Sequence, residues 1–142
     1  MIKVRKFIAF DVEMFKPLEI FHDGAKQRTI WASQCGAHVY TLFDDTGVMG
    51  IVGCSPLWPG RADMWSHLGD GIHRDPKEFS LEVGKLIEKQ FVDLNLHRAE
   101  AHVKVGYEQG VKWVERFGFV REGIMKQYLP DKADAYLYAR YA

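Results

Sequence analysis

The chain has 142 residues, 47% of them hydrophobic and 27% charged, with 19 basic and 19 acidic side chains and a formal net charge of zero. That length suits one domain over residues 1–142, able to bury roughly two-thirds of the surface that the unfolded chain exposes. A balanced charge argues against a nucleic-acid binder driven by phosphate neutralisation, and no apolar run approaches the roughly 18 residues of a membrane span.

The opening Met-Ile-Lys-Val-Arg-Lys-Phe alternates like a first strand over 2–7 and lacks the apolar stretch of a signal peptide. Asp11 is placed to cap a helical turn, and Pro17 to restart a helix that ends near Gly24. Residues 25–37 carry no clear period and are given little structure. Strands follow over 39–44 and 48–55, joined by the hairpin signal Asp45-Thr-Gly47. Pro56-Leu-Trp-Pro-Gly60 reads as a second turn, leading into a strand over 61–69. On that strand Asp63, Trp65 and His67 share one face, while Ala62, Met64, Ser66 and Leu68 form the apolar face expected under a helix.

Gly69-Asp-Gly71 punctuates the chain before that helix. Asp75 reads as its N-cap, Pro76 as its first residue and Glu78 as the N3 partner of a capping box. Phe79, Val83, Leu86, Ile87, Phe91 and Leu94 then recur at helical spacing as one buried stripe. Four aligned backbone donors and a positive dipole end make such a helix start a natural anion site. Arg74 offers a forked guanidinium beside it and Lys77 a second charge. A strand over 98–105 sets Glu100, His102 and Lys104 on a face opposite Ala99, Ala101 and Val103. A helix over 107–117 carries Val111, Val114 and Phe117 inward. Strands over 119–127 and 135–141 meet around Pro130-Asp131.

Cys35 and Cys54 have neither disulfide-framework nor metal-ligand spacing and read as two reduced thiols of a cytoplasmic protein. The six histidines show no metal-ligand spacing either, so no metal is expected. His67 is a candidate proton acceptor, read against the alternative of a hydrogen-bonded strand residue. His102 is a second titratable group, read against a half-exposed polar strand face. Trp58, between two prolines, is expected to be exposed. Tyr128, Tyr136 and Tyr138 cluster near the last hairpin, and one of them is a candidate general acid.

Three phrases carry a family resemblance. Phe91-Val-Asp-Leu-Asn-Leu-His-Arg-Ala-Glu100 is similar to the helix-to-strand passage of the ribosomal-protein N-terminal acetyltransferases. Trp113-Val-Glu-Arg-Phe-Gly-Phe-Val-Arg-Glu-Gly123 and Asp134-Ala-Tyr-Leu-Tyr-Ala139 look like the late helix, Gly-Phe turn and closing strands of the GNAT superfamily of N-acetyltransferases. The chain resembles that superfamily from about Val39 onward. The resemblance implies an α+β fold, with a mixed, mostly antiparallel sheet of six to seven strands flanked by helices. It implies transfer of an acetyl group to a primary amine, on a small molecule or a peptide, by direct attack. Acetyl-CoA is the implied co-substrate, held by backbone around Gly69, Gly71 and Ile72 together with Arg74 and Lys77. Tyr107 stands where the family opens its late helix with Asn. His67 and Asp70 lie near the implied place of the acetyl group, as catalytic candidates.

The departures are specific. The family's phosphate loop has Arg or Gln, then Gly three residues on, then Gly or Ala two further. Here Arg74 is followed by Lys77 and Phe79 at those places, and Val114 stands where a Tyr often acts as general acid. Such a loop also resembles GNAT-like proteins of tailed bacteriophages, internal virion proteins among them. That implies the alternative: a non-catalytic protein with a structural or interaction role, in a homodimer or a phage protein assembly. Neither nucleic acid nor membrane is expected as a partner.

Overall fold

Alternating patterns and turn residues in this sequence produce seven strands, which pair into a single sheet. In a computed structural model that describes residues 1–20 and 24–142, the strands are β1 (Lys3–Lys6), β2 (His38–Asp44), β3 (Gly47–Trp58), β4 (Arg61–Leu68), β5 (Arg98–Lys104), β6 (Val120–Met125) and β7 (Ala135–Tyr141). The helices are α1 (Ala25–Gln34), α2 (Pro76–Asp93) and α3 (Glu108–Arg116), with 3-10 turns at Ala9–Glu13 and Asp70–Arg74. The sheet order is β1-β2-β3-β4-β5-β7-β6, the α+β plan expected. Contacts divide the chain into two compact units, residues 1–55 with 65–89 and residues 56–64 with 90–142.

In the first unit β1 pairs antiparallel with β2 from Lys3↔Phe43 to Lys6↔Tyr40, and β2 with β3 from His38↔Cys54 to Asp44↔Gly47. Its core cluster is Val12, Val39 and Ile51, with Phe7, Phe15, Ile30, Ala37 and Trp65 packed against it. Asp11 caps its turn from the third position, bonding back to the residue before the turn, and is 1% exposed. Its carboxylate accepts from Arg5, from Thr41 at 2.6 Å and from the Ile8 amide at 2.9 Å. Burial alone would raise its pKa, but these three donors together hold it below the usual range.

Four expectations need correction here. Residues 25–34 are helical; the segment hides its period because its fully buried residues are Ala25 and Thr29, with Ile30 the one large aliphatic side chain packed on the core. Pro17 starts no helix. It forms an isolated antiparallel bridge with Gly69, and Leu18 donates to the Leu68 carbonyl at 3.0 Å; residues 21–23 of that expected helix lie outside the described residues. The turn expected at 56–60 narrows to Pro59-Gly60, because β3 runs on to Trp58. Its last β2 pair is at Cys54, so Pro56 lies where that ladder no longer needs its missing N–H. Finally, the β4 face of Trp65 and His67, where His67 was a candidate proton acceptor, is a core face: Trp65 joins the apolar cluster, and His67 is 0% exposed against the Phe15 ring at 5.1 Å.

Helix α2 begins as expected, with the Asp75 carboxylate accepting from the Glu78 amide at 3.1 Å. The capping box is not closed, because Glu78 takes the Ile2 amide at 3.2 Å instead. Phe79, Val83 and Ile87 are buried, while Phe91 and Leu94 are half-buried.

The second unit holds the parallel pair of β4 and β5, which lasts only from Arg61↔Arg98 to Asp63↔Glu100. Strand β5 pairs antiparallel with β7 from Arg98↔Tyr141 to Lys104↔Ala135, and β6 pairs with β7 across an irregularity between Arg121 and Gly123. Helix α3 ends through Gly118 at φ +88°, a conformation that favours glycine. The Gly118 amide reaches Glu115 at 3.0 Å and the Phe119 amide reaches Val114 at 3.2 Å, the paired bonds of a Schellman ending. Glu100 is buried between Arg61 and Arg98, whose guanidinium groups hold its carboxyl down to about 2. Arg98 continues to Glu122 at 3.0 Å, and Glu122 accepts from Tyr141.

Phe79→Ala is expected to cost about 3–5 kcal/mol in denaturant unfolding, as for a fully enclosed aromatic side chain. Phe91→Ala, which removes a half-buried ring under the Arg140 guanidinium at 4.9 Å, should cost about 1–2 kcal/mol. Equal losses at the two positions would mean that the stripe of α2 is misassigned.

Candidate active site

Successive residues of a strand present their backbone groups to opposite edges. The Gly69 amide donates to Met49 on β3 at 2.9 Å, so Leu68 and Asp70 face the edge away from β3. At that edge the chain itself supplies the partners: Leu18 donates to the Leu68 carbonyl at 3.0 Å, and Asp70 donates to the Lys16 carbonyl at 3.2 Å. The register with β5 ends at Asp63, so on the same edge Ser66 has no ladder partner. Beyond Asp70 the 3-10 turn closes with Ile72 donating to Gly69 at 3.3 Å. Of the backbone expected to hold a cofactor, the amides of Gly69, Asp70 and Ile72 are therefore already bonded within the chain.

The start of α2 is similarly occupied. Pro76 has no N–H to offer, the Asp75 carboxylate holds the Glu78 amide, and the Phe79 amide bonds the Asp75 carbonyl at 3.0 Å. Lys77 is exposed at the second helical position and Phe79 points into the core at 2% exposure. The bulk at the family's small-residue place is thus turned away from the helix start, and Lys77 adds positive charge there.

Arg74 is committed elsewhere. Its guanidinium makes a bidentate pair with Asp44 at 2.9 and 2.8 Å and reaches the Gly47 carbonyl at 3.2 Å. It lies so close over Gly71 that a Cβ there would meet the guanidinium nitrogen at 2.8 Å. This pair, with the Thr46 and Gly47 amides, holds the Asp44 carboxyl down to about 2.

His67 and Asp70 have opposite surroundings. His67 is sealed in the core of the first unit, whereas Asp70 is exposed in the first turn of the 3-10 segment. Tyr107, in the second unit, precedes α3 with no side-chain cap bond, and its ring lies against Gly110. Burial raises the pKa of its hydroxyl. Among the late tyrosines, Tyr138 is fully buried, donating to Glu115 at 2.8 Å and accepting from Arg121 at 3.0 Å. The Arg121 guanidinium lies over the Tyr136 ring at 3.7 Å. Tyr128 is exposed, and its ring stacks on His102 at 4.7 Å.

Sequence reasoning missed the partner of Arg74 and the pairing of His102 with Asp63, whose Nδ1 and Oδ1 are 3.4 Å apart. The first had a partial signal, since Asp44 before Asp45-Thr-Gly is a turn-forming position. The second follows from the β4–β5 register, which sets Asp63 opposite Glu100, two residues before His102. Cys35 is exposed, Cys54 is buried, and no disulfide joins them. Trp58 is exposed as expected, with the Arg61 guanidinium 4.2 Å over its ring. Among the described residues no cluster of His, Cys, Asp and Glu could hold a metal ion, and no helix is long and apolar enough to cross a membrane.

No protein-family model matches the chain, and no curated protein matches it in sequence. Solved structures match it along nearly its whole length. The ribosomal-protein-S5-alanine acetyltransferase of Vibrio fischeri is 21% identical with a TM-score of 0.74, the alignment covering 99% of this chain and 92% of that one. A mutant form of the spermidine/spermine N-acetyltransferase of Vibrio cholerae is 17% identical with a TM-score of 0.72, covering 99% and 95%. A chimera of the Vibrio cholerae spermidine N-acetyltransferase with hSSAT is 16% identical with a TM-score of 0.75, again covering 99% and 95%. The chain has the GNAT fold. At these identities the likeness establishes the fold and leaves the chemistry to the residues.

Asp44→Asn removes the charge that occupies Arg74, so calorimetry should find acetyl-CoA bound several-fold more tightly than by the parent chain. Unchanged affinity would take Arg74 out of any anion site. Because the folded Asp44 carboxyl lies at about 2, below its unfolded value, the pair's contribution to stability is complete above the unfolded pKa. It fades as pH falls from about 4 toward 2.

Proposed function

We propose that the protein is an acyl-CoA-dependent N-acyltransferase, moving an acetyl group to a primary amine by direct attack, with a weakly held cofactor. The observation that carries the proposal is the β4 edge. Pairing with β5 stops at Asp63, which leaves Ser66 able to pair with an amide-bearing arm as a neighbouring strand would. Structures sharing the fold act on spermidine and on a ribosomal-protein alanine by name, and both acceptors are amines. In this reading Lys77 and the Gly71 backbone are the groups left for the phosphates, with Arg74 joining when Asp44 releases it. Ile72 and Gly69 shape the turn, and Tyr107 replaces the family's helix-opening Asn. The reaction needs the amine and the thioester held in line and one proton removed from the ammonium. The enclosure of His67 keeps its ring from an ammonium in solvent, while Asp70 is accessible to one.

A second reading is supported by the occupied start of α2. A domain that has spent its anion-binding amides on Asp75 and on Lys16 has the features of a scaffold retained for a structural or interaction role, as in a phage particle.

Calorimetry with acetyl-CoA separates the two. The enzyme reading predicts parental binding weaker than about 100 µM, roughly −5.5 kcal/mol, and weaker binding still by Lys77→Ala, which removes the cation beside the helix start. Parental binding in the low micromolar range would contradict the weak hold. No binding by either chain at millimolar cofactor would favour the scaffold reading.

A further inference from the structure

The second unit carries one carboxylate that no arginine or lysine holds. Three neighbouring carboxylates are matched: Glu100 lies between Arg61 and Arg98, Glu122 also pairs with Arg98, and Asp131 takes the Lys104 ammonium at 2.8 Å. Asp63, opposite Glu100 in the β4–β5 register, is left over. The Arg61 guanidinium, two residues before it, is spent on Glu100. Asp63 Oδ1 is buried and makes no hydrogen bond, although His102 Nδ1 stands 3.4 Å away. The side chain as a whole is 29% exposed, so the carboxylate is reached from its Oδ2 side. It has given up part of its hydration and gained no donor in return. A ligand ammonium would supply both the donor and the charge.

The surroundings suit the alkyl chain that such an ammonium carries. Tyr128, in the hairpin between β6 and β7, stacks on His102 with ring centroids 4.7 Å apart and an interplanar angle of 26°. Its side chain remains half open to solvent. Leu137 of β7 is the register partner of His102. The hairpin is braced, with Gln127 donating to Asp134 at 2.9 Å and Leu129 to Ala133 at 3.1 Å, so the aromatic wall is in place before a ligand arrives. A metal ion is poorly served here, because among the described residues no three metal-ligating side chains come together. An alkyl ammonium needs one carboxylate and an apolar wall.

We propose that Asp63, with His102 and Tyr128 beside it, is a binding site for a primary alkyl ammonium. The ammonium donates to Asp63 Oδ2, and its methylene chain lies along the stacked rings. The site lies wholly within the second unit and does not rest on the acyltransferase reading. A free amine and a lysine side chain of another protein both present this group.

The test is an NMR titration of the intact chain, without acetyl-CoA, that reads the ring protons of Tyr128 and His102. The probes are propylammonium, spermidine and Nα-acetyl-lysine amide, with 1-propanol as the uncharged match. Each ammonium should give saturable shifts in the millimolar range, and 1-propanol should give none. Asp63→Asn should weaken every ammonium about tenfold, with the rest of the spectrum preserved. Tyr128→Ala, which removes a half-open ring and keeps the carboxylate, should weaken them several-fold. Tighter binding of spermidine supports the site as one for free amines, and tighter binding of Nα-acetyl-lysine amide supports it as one for a lysine side chain. An equal response to 1-propanol, or no saturable shift from any ammonium up to roughly 100 mM, overturns the proposal. Undiminished affinity in a folded Asp63→Asn overturns it too, as does undiminished affinity in Tyr128→Ala should Asp63→Asn fail to fold.

Discussion

Backbone amides at a strand end and a helix start need partners, and from Leu68 to Phe79 this chain supplies most of its own. Lys16 and Leu18 bond the end of β4 on its edge away from β3, Gly69 closes on Ile72, and Asp75 bonds the Glu78 amide. A ligand that used those groups would have to displace internal bonds, and each displacement returns a polar group to the unpaired state that folding had resolved. The same bonds fix where the 3-10 turn ends and α2 begins, so the geometry of the region and the occupation of its amides have one cause.

Electrostatics reinforce this. The acidic side chains Asp75 and Glu78 complement the positive end of the α2 dipole, which favours the helix by a few tenths to about 1 kcal/mol each. Their charge opposes a phosphate at that point. Arg74 is drawn to Asp44, and Lys77 is the cation left beside the helix start. Asp75 makes this helix start self-sufficient, by taking the Glu78 amide on its carboxylate and the Phe79 amide on its carbonyl.

The sequence was most readable where period and turn chemistry act locally. The strands of both units, α2, α3 and the left-handed Gly118 follow from alternation, the Asp75-Pro76 start and the Gly-Phe ending. Helix α1 was hidden because a helix that buries alanine and threonine has no apolar stripe to count. The site was less legible than the fold. The commitment of Arg74 depends on Asp44, 30 residues away, and the Asp63–His102 pair depends on strand register. Neither is encoded in spacing along the chain.

Chemical-shift mapping of the backbone amides during an acetyl-CoA titration tests the central claim directly. Internally satisfied donors should keep their partners, so the account predicts shifts concentrated at Ser66, Gly71 and Lys77, with the Asp70 and Glu78 amides unmoved at the highest cofactor concentration. Large, saturable shifts of the Glu78 and Asp70 amides, with Asp75 released from its cap, would contradict it and show that the cofactor takes the very bonds the chain was said to keep.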